Sequence, residues 1–266
     1  MPELPEVQTI VNGLNKKGLN KKIVSMNEIR KGTIQNFVGE NISEIGVISS
    51  IKRRGKYIII KTSKKLKLII HLRMTGKLIF ETELTKTSDH TRAELVFSDN
   101  TKLIFDDVRA FGKIQIYNKE DEVESLEKLG LEPFSKDFNE KYLKMKFKNR
   151  KSHIKSLLLN QRVVAGLGNI YVNEILYRAR ISPKKKGNQI SLKKLKTIVE
   201  KAKEVLEKAI KHNGTTISDY RSVEDKTGKF QNFLKVYQKE YCECGHQIKK
   251  VKQAGRSTYY CPVCQK

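Results

Sequence analysis

The pattern of hydrophobic residues changes near the middle of the chain. From about Ile23 to Tyr117, short β-branched or aromatic segments alternate with polar turns, as at Tyr57–Ile60 and Leu66–Leu72. Such segments predict strands, and a run of them predicts a sandwich or a barrel. From Val123 onward, hydrophobic residues recur at helical spacing instead. The sequence therefore predicts an α+β fold whose strands and helices occupy different parts of the chain.

Two helices stand out within this pattern. Apolar residues between Val7 and Leu14 recur at helical spacing, which predicts a helix just after the first few residues. A longer helix is predicted over about Leu192–Lys211, where one face is apolar. Pro133 and its polar neighbours mark a domain junction between the two regions.

The chain is strongly basic. Lysine and arginine outnumber aspartate and glutamate by 54 to 29 among 266 residues, which gives a formal net charge of +25. This balance favours nucleic acid as a partner, because neutralised phosphates release counterions, although a lysine-biased genome would also produce it. No apolar run approaches the roughly 20 residues of a spanning helix, and acidic Glu3 and Glu6 argue against a secretory leader. A cytoplasmic protein without membrane contact is expected.

The first residues read Met1-Pro2-Glu3-Leu4-Pro5-Glu6-Val7. A small residue after the initiator allows removal of Met1, which would leave Pro2 with a free secondary amine. An α-amine has a pKa near ~7.7–8.0, so part of it is unprotonated and nucleophilic at neutral pH. Glu3 is a candidate general acid or base beside it. Alternatively, these residues only start a helix, with proline and glutamate in its first turn.

Further candidate residues lie at turns. Lys56 follows Gly55 and leads into an apolar strand, where a fixed lysine could hold a phosphate or assist proton transfer. The turns at 74–76 and 106–112 carry apolar and guanidinium side chains, which can wedge between bases and fill the gap left by a flipped nucleotide. Taken singly, Lys56 is better explained as a solvated surface lysine, and Met74 and Phe111 are better explained as ordinary core residues.

Residues 155–179 predict a helix, a turn containing Gly166-Leu167-Gly168, and a second helix. This arrangement suits a phosphate, because glycines let the backbone approach and a helix amino terminus presents free N–H groups. Lys151 and Lys155 lie upstream, and Asn169 occupies the expected helix cap. An ordinary turn between two helices is the alternative.

All four cysteines lie after position 240, as Cys242-Glu243-Cys244 and, after 16 intervening residues, Cys261-Pro262-Val263-Cys264. In a reducing compartment, such clustering indicates a metal rather than disulfides. Two close pairs of thiolates suit tetrahedral zinc, and the residues between the pairs predict a β-hairpin with a basic tip. Free structural cysteines are the alternative.

These features, in this order, resemble the formamidopyrimidine-DNA glycosylase family. The most specific pieces are Pro2–Val7, Gly168–Tyr171 and Gly255–Pro262, and the resemblance runs from Pro2 to Gln265.

The resemblance implies an amino-terminal β-sandwich flanked by helices, then a helix–two-turn–helix domain that ends in a zinc-finger β-hairpin, with DNA in the cleft between the lobes. We accordingly expect a catalytic domain at 1–132, a DNA-binding domain at 133–235 and the zinc hairpin at 236–266. One zinc ion per chain and a monomeric protein, associated with the bacterial nucleoid through DNA, are also expected.

The resemblance further implies a base-excision repair enzyme that removes 8-oxoguanine and formamidopyrimidines from duplex DNA and cleaves the abasic strand by β,δ-elimination. Pro2 would be the Schiff-base nucleophile and Glu3 the proton donor. Lys56 would contact a phosphate and act in β-elimination. Arg256 would hold the flanking phosphate and act electrostatically in δ-elimination, since a guanidinium is a poor acid.

Other positions match the family's DNA contacts and zinc ligands. Met74, Arg109 and Phe111 would fill the void in the duplex, with Arg109 facing the orphaned base. The stretch 214–230 would close over the flipped purine as a mobile lid. The remaining DNA contacts implied are His90, Arg150, Lys151, Lys155 and Asn169, and the zinc ligands implied are Cys242, Cys244, Cys261 and Cys264.

Two departures from the family pattern matter. The first cysteine pair is usually Cys-x-x-Cys, and here Cys242 and Cys244 are separated by one residue, which forces tighter geometry. Val108 and Ala110 stand where the family usually has proline and a second arginine, which could loosen the wedge loop.

Two rival functions remain open on the sequence. Endonuclease VIII shares the proline chemistry but prefers oxidised pyrimidines; Leu4–Val7, the wedge residues and the long loop before the zinc hairpin favour the purine branch. A catalytically silent lesion-binding module is the other rival, and intact Pro2, Glu3 and Lys56 argue against it.

Overall fold

A computed structural model of the chain describes residues 1–39, 42, 44–82, 87–216, 222–224 and 226–266. The chain forms two compact units. The first comprises Met1–Glu124 and His212–Lys229, and the second comprises Ser125–Lys211 and Phe230–Lys266. The first unit thus includes the segment 212–229, which lies far along the chain from the rest of that unit.

The first unit begins with helix α1 (Leu4–Lys17), which buries Leu4, Val7, Ile10 and Leu14 and confirms the predicted amino-terminal helix. A run of strands follows it, also as predicted. They are β1 (Lys22–Glu28), β2 (Ile34–Asn36), β3 (Gly46–Arg54), β4 (Tyr57–Thr62), β5 (Leu66–His71), β6 (Gly76–Glu81), β7 (Thr91–Phe97), β8 (Lys102–Asp107) and β9 (Lys113–Asn118).

These strands form a folded-over sheet with the order β2-β9-β5-β4-β3-β1-β7-β8-β6. Its two halves meet at β1, which pairs with β3 at Lys22 and Ile23 and then runs antiparallel to β7. Residues from both halves, such as Ile58 and Phe105, share one hydrophobic cluster with α1. This is the sandwich that the alternating pattern predicts.

A segment distant in the sequence completes this core. Val223 is buried in the same cluster, and its carbonyl oxygen accepts a hydrogen bond from the Phe80 N–H at 3.0 Å. A Cβ added at Gly13 of α1 would lie 3.3 Å from the Val223 side chain, so the two backbones approach closely. Hydrophobic periodicity reports local structure, and it therefore does not indicate this return of the chain.

The second unit is mainly helical. Its longest helix, Leu192–Lys211, has the predicted bounds and packs its apolar face against two other helices. The helices from the boundary of the units onward are α2 (Glu124–Glu127), α3 (Glu140–Phe147), α4 (Ile154–Leu159), α5 (Asn169–Arg178) and α6 (Leu192–Lys211), and the hairpin strands are β10 (Lys249–Gln253) and β11 (Arg256–Tyr260). No helix within the described residues combines the length and apolar character needed to cross a membrane.

Candidate active site and metal centre

The start of α1 is buried and is tied to a distant segment by Glu6. Pro2 is buried, and the Glu3 side chain is only 3% exposed. The buried Glu6 carboxylate accepts hydrogen bonds from the backbone N–H groups of Glu3 at 2.8 Å and Thr215 at 2.7 Å. One carboxylate therefore fixes both the backbone next to Pro2 and the beginning of the expected lid.

The two ends of the expected lid, 214–230, are joined to each other. The Gly228 N–H donates to Thr216 Oγ1 at 2.8 Å. A Cβ added at Gly228 would lie 2.3 Å from the Gly214 carbonyl oxygen, so this approach requires glycine. The lid residues 217–221 and 225 lie outside the described residues.

Lys56 lies in a two-residue turn that α1 supports. Gly55 and Lys56 connect β3 to β4, since Arg54 pairs directly with Tyr57. Arg53 bonds the Gly55 carbonyl oxygen through Nη1 at 3.0 Å and the Gln8 side chain on α1 through Nε at 2.9 Å. The Lys56 side chain is 6% exposed, so it is held in place rather than solvated.

His71 is a further group at this site, and no pattern in the sequence indicates it. It ends β5 directly opposite Tyr57, and the two rings meet edge-on at 4.5 Å. Burial and the positive charges of Arg73 and Lys56 lower the pKa of His71 to about 3. Its Nδ1 accepts the Arg73 N–H at 3.0 Å, so the neutral ring presents Nε2–H as a donor. A lone histidine at a strand end has no spacing signal that could have singled it out.

The three predicted wedge residues are solvent-exposed. Met74 is 43% exposed and Phe111 is 53% exposed, which is unusual for large apolar side chains with an ordinary core role. The exposed Arg109 places its guanidinium 5.1 Å from the centre of the Phe111 ring. The structure therefore presents apolar tips and one cation on neighbouring turns.

Asp107, which is buried, connects the two wedge turns. Its carboxylate accepts hydrogen bonds from the Gly112 N–H at 2.7 Å and from the Thr75 hydroxyl. Thr75 Oγ1 in turn accepts the Arg109 N–H at 3.0 Å. The wedge turns are thus fixed to each other, although Val108 and Ala110 differ from the residues usual in the family. The sequence does not reveal this role of Asp107.

The predicted phosphate contacts fall into two groups by burial. His90, Arg150 and Lys151 are exposed and available to a ligand. Lys155 is fully buried, and its Nζ donates to the Ser257 carbonyl oxygen at 2.9 Å and to Thr258 Oγ1 at 2.7 Å. Lys155 therefore holds strand β11, and its ammonium group is buried.

Two asparagines on α5 hold the same strand. Asn169 donates to the Ser257 carbonyl oxygen at 3.0 Å, and Asn173 Oδ1 accepts the Tyr259 N–H at 2.9 Å. The α5 amino-terminal cap is Gly168, so Asn169 is not the capping residue expected from the sequence. The exposed Arg256 begins β11, directly after the two-residue turn of the hairpin.

The metal centre lies beside this hairpin. Cys242 Sγ is 3.7 Å from Cys261 Sγ and 3.9 Å from Cys264 Sγ. Tetrahedral zinc with Zn–S bonds of about 2.3 Å requires S–S separations of about 3.8 Å, so these thiols fit the ion. The group of potential ligands is completed by His246, with all four ligand atoms within 4.8 Å of one another, whereas Cys244 is exposed and outside the group.

The environment of Cys242 favours the thiolate that zinc requires. Burial alone would raise its pKa, but backbone hydrogen bonds from Cys244 and His246 lower the pKa of Cys242 to about 6. The centre also packs on the helical part of the second unit, because Cys242 and Cys261 share a small apolar cluster with Tyr177 of α5.

Known proteins match the whole of this arrangement. Residues 1–114 match the formamidopyrimidine-DNA glycosylase N-terminal domain, residues 129–221 match the H2TH domain of the same enzymes, and residues 243–266 match a zinc finger found in FPG and IleRS. The formamidopyrimidine-DNA glycosylase of Wolbachia pipientis from Culex pipiens is 40% identical over 271 residues, covering 100% of both chains.

Solved structures of Lactococcus lactis FPG are similar over the same length. A mutant in complex with DNA containing Fapy-dG has a TM-score of 0.90 at 38% identity, and the wild-type protein in complex with DNA containing an oxidised pyrimidine has a TM-score of 0.89 at 37% identity. Each comparison covers 100% of both chains.

The chain belongs to the formamidopyrimidine-DNA glycosylase family. It is therefore a base-excision repair enzyme, a DNA glycosylase with abasic-site lyase activity, and its partner is DNA. The zinc-finger match and the geometry of the thiols assign one zinc ion to the metal centre.

The low pKa of His71 predicts a pH dependence of stability. The folded protein holds this ring neutral down to about pH 3, whereas the unfolded chain protonates it near pH 6.5, so the unfolded state binds more protons between these values. The free energy of unfolding should therefore fall as the pH is lowered through this window. His71→Gln should lose less stability between pH 7 and pH 4 than the wild type, as measured by urea denaturation. His90→Gln, at an exposed histidine, is the control, and equal slopes for wild type and His71→Gln would contradict the prediction.

The burial of Lys155 predicts that it and Lys151 act differently. Lys155→Met leaves buried acceptors on Ser257 and Thr258 without this donor, which should cost about 1–3 kcal/mol of stability. Lys151→Met should leave the melting temperature unchanged and lower the slope of log K against log salt by about 0.9 for one lost phosphate contact. Thermal denaturation and DNA titrations in a salt series test both. A Lys155→Met protein of wild-type stability with a reduced salt slope would make Lys155 a phosphate contact after all.

Proposed function

We propose that the chain excises oxidised purines, 8-oxoguanine and formamidopyrimidines, from duplex DNA and then cleaves the abasic strand by β,δ-elimination. The nucleophile is the amine of Pro2 after removal of Met1. The observation that carries this proposal is the Glu6 carboxylate, which fixes the backbone beside Pro2 and the base of the lid at the same time. Pro2 is thereby held next to the loop that is expected to cover the flipped base. This arrangement is suited to chemistry on an extruded nucleotide.

The chemistry follows from a secondary amine. Pro2 nitrogen forms a bond to the sugar C1′ as the bond from C1′ to the base nitrogen breaks, and the departing base takes up a proton. Opening of the sugar ring, with Glu3 as proton donor, then gives an iminium ion. The iminium withdraws electrons, so loss of a C2′ proton expels the 3′ phosphate, and a second elimination expels the 5′ phosphate. Water finally releases the sugar fragment and regenerates Pro2.

The cationic residues have separate parts in this scheme. Lys56, held in its turn by Arg53, contacts a phosphate and assists the first elimination. His71 presents a neutral N–H beside it. Arg256, exposed at the start of β11, binds the flanking phosphate and stabilises the charge that develops in the second elimination.

The choice of purine lesions rests on the wedge and on the family. Met74, Arg109 and Phe111 are exposed together and fit the hole left by a flipped base. The wild-type Lactococcus lactis relative was crystallised with an oxidised pyrimidine, so duplexes with single oxidised pyrimidines belong in the same assay. Faster excision of pyrimidines than of purines would assign the chain to the rival specificity.

We further propose a monomer in the bacterial cytoplasm, associated with the nucleoid through DNA.

Borohydride trapping tests the nucleophile. The protein lacking Met1, confirmed by mass spectrometry, should be trapped on an 8-oxoguanine duplex, because borohydride reduces the iminium to a stable amine. One additional residue before Pro2 should abolish trapping, and Pro2→Gly should retain part of it as a primary amine. Robust trapping of the blocked protein would assign the nucleophile to a lysine instead.

The choice of opposite base tests Arg109. A guanidinium can donate to O2 and N3 of an orphaned cytosine, whereas adenine presents an amino donor there, so 8-oxoguanine should be excised faster opposite cytosine. Charge-assisted hydrogen bonds are worth about 1.5–3 kcal/mol, so Arg109→Ala should reduce this preference roughly ten- to a hundredfold in single-turnover assays. Lys151→Ala is the matched control and should slow both duplexes alike. If Arg109→Ala keeps the full cytosine preference, the discriminating contact lies elsewhere.

A further inference from the structure

Cys244 and His246 are the two candidates for the fourth ligand of the zinc site. The matched zinc-finger range, 243–266, includes both Cys244 and His246, so the comparison does not decide between them. We propose that the fourth ligand is Nδ1 of His246 and that Cys244 is a free thiol exposed to solvent. The centre is then a Cys-x-x-x-His and Cys-x-x-Cys site, formed by Cys242, His246, Cys261 and Cys264.

The register of a short hairpin carries this assignment. Tyr241 and Gln247 form an antiparallel bridge, and the Cys242 N–H donates to the His246 carbonyl oxygen at 2.9 Å. Cys242 and His246 therefore lie directly opposite each other. Side chains of opposed residues project from the same face with Cβ atoms about 4.5–5.5 Å apart, a separation that one metal ion can bridge.

The loop between these two residues places Cys244 at its tip. Gly245 closes the loop with a φ of +76°, and its N–H donates to the Cys242 carbonyl oxygen at 2.9 Å. A three-residue hairpin loop that ends in a left-handed residue is a common form, and glycine favours it. The exposed Cys244 thiol interacts with the Cys264 side chain, but it lies outside the group of four ligand atoms that are all close to one another.

The distances to His246 agree with this geometry. Its Nδ1 lies 3.9 Å from Cys242 Sγ and 3.9 Å from Cys264 Sγ. With Zn–N of about 2.0–2.1 Å and Zn–S of about 2.3 Å, a tetrahedral site requires S–N separations of about 3.6 Å, so a shift of a few tenths of an ångström completes the coordination.

A histidine ligand also changes the charge beside the DNA-binding hairpin. An imidazole binds zinc as a neutral ligand, so the centre has one negative charge fewer than four thiolates would give it. The neighbouring strands carry Lys249, Lys250, Lys252 and Arg256. A zinc centre with less negative charge weakens the attraction of these cations for phosphate to a smaller extent.

Metal analysis and cobalt spectroscopy of the full-length protein test the assignment. Zinc per chain is measured after dialysis for the wild type, Cys244→Ser, His246→Ala and Cys242→Ser. Cys244→Ser should keep one zinc and the wild-type absorption spectrum of its Co²⁺ form, whereas His246→Ala and Cys242→Ser should lose tightly bound metal. His246→Cys should regain a tetrahedral Co²⁺ spectrum in which the sulfur-to-cobalt charge-transfer band is stronger, because a fourth thiolate contributes to it.

Alkylation of the wild-type protein gives a readout that does not depend on how a variant folds. With zinc bound, iodoacetamide should modify one cysteine rapidly, and peptide mass spectrometry should identify it as Cys244, because zinc-bound thiolates are protected. Loss of zinc in Cys244→Ser, or protection of all four cysteines in the wild type, would overturn the proposal and make Cys244 the ligand. These measurements do not depend on glycosylase activity.

Discussion

A single buried carboxylate holds the amino-terminal end of the first unit in place. Glu6 is 2% exposed, and its two oxygens accept the N–H groups of Glu3 and of Thr215, which is 209 positions away in the chain. Hydrogen bonds to a charged group contribute about 1.5–3 kcal/mol, and a buried carboxylate without them is costly. The first turn of α1 and the segment that begins at Thr215 therefore depend on each other, and the backbone beside Pro2, the proposed nucleophile, has a fixed position.

The second unit uses buried polar groups in the same way. Lys155 on α4 and Asn169 and Asn173 on α5 each bond to strand β11, just after the exposed Arg256. The helices that resemble a phosphate-binding motif thus also carry the hairpin that presents Arg256. Burial thus separates the predicted DNA contacts into exposed residues such as Arg256 and a buried residue, Lys155, that holds the backbone of the hairpin.

The sequence predicts the parts of this protein that depend on local pattern. Helix α6 has its predicted bounds, and the strand segments around Tyr57 and Leu66 form the predicted sandwich. It does not predict Val223 entering the sandwich core, since that contact joins segments far apart in the chain. The sequence also does not identify His71 or Asp107 as important residues, because the charges around His71 and the turns around Asp107 are determined by the fold. Candidate residues could be chosen by their chemistry, but only the structure shows whether each side chain is exposed or buried.

The two departures from the family pattern fall on loops whose shape other residues determine. Ala110 adopts a φ of +53° in the wedge loop, a conformation that costs a non-glycine residue roughly 1–2 kcal/mol, yet Asp107 holds that loop through Gly112 and Thr75. In the zinc hairpin, Gly245 and the pairing of Tyr241 with Gln247 fix the backbone, whichever side chain stands at the tip. Once the backbone of a loop is fixed from elsewhere, its exposed side chains can vary without loss of shape. In the proposed zinc site, the register of the hairpin, which places His246 opposite Cys242, selects the ligand, and the spacing between the cysteines does not.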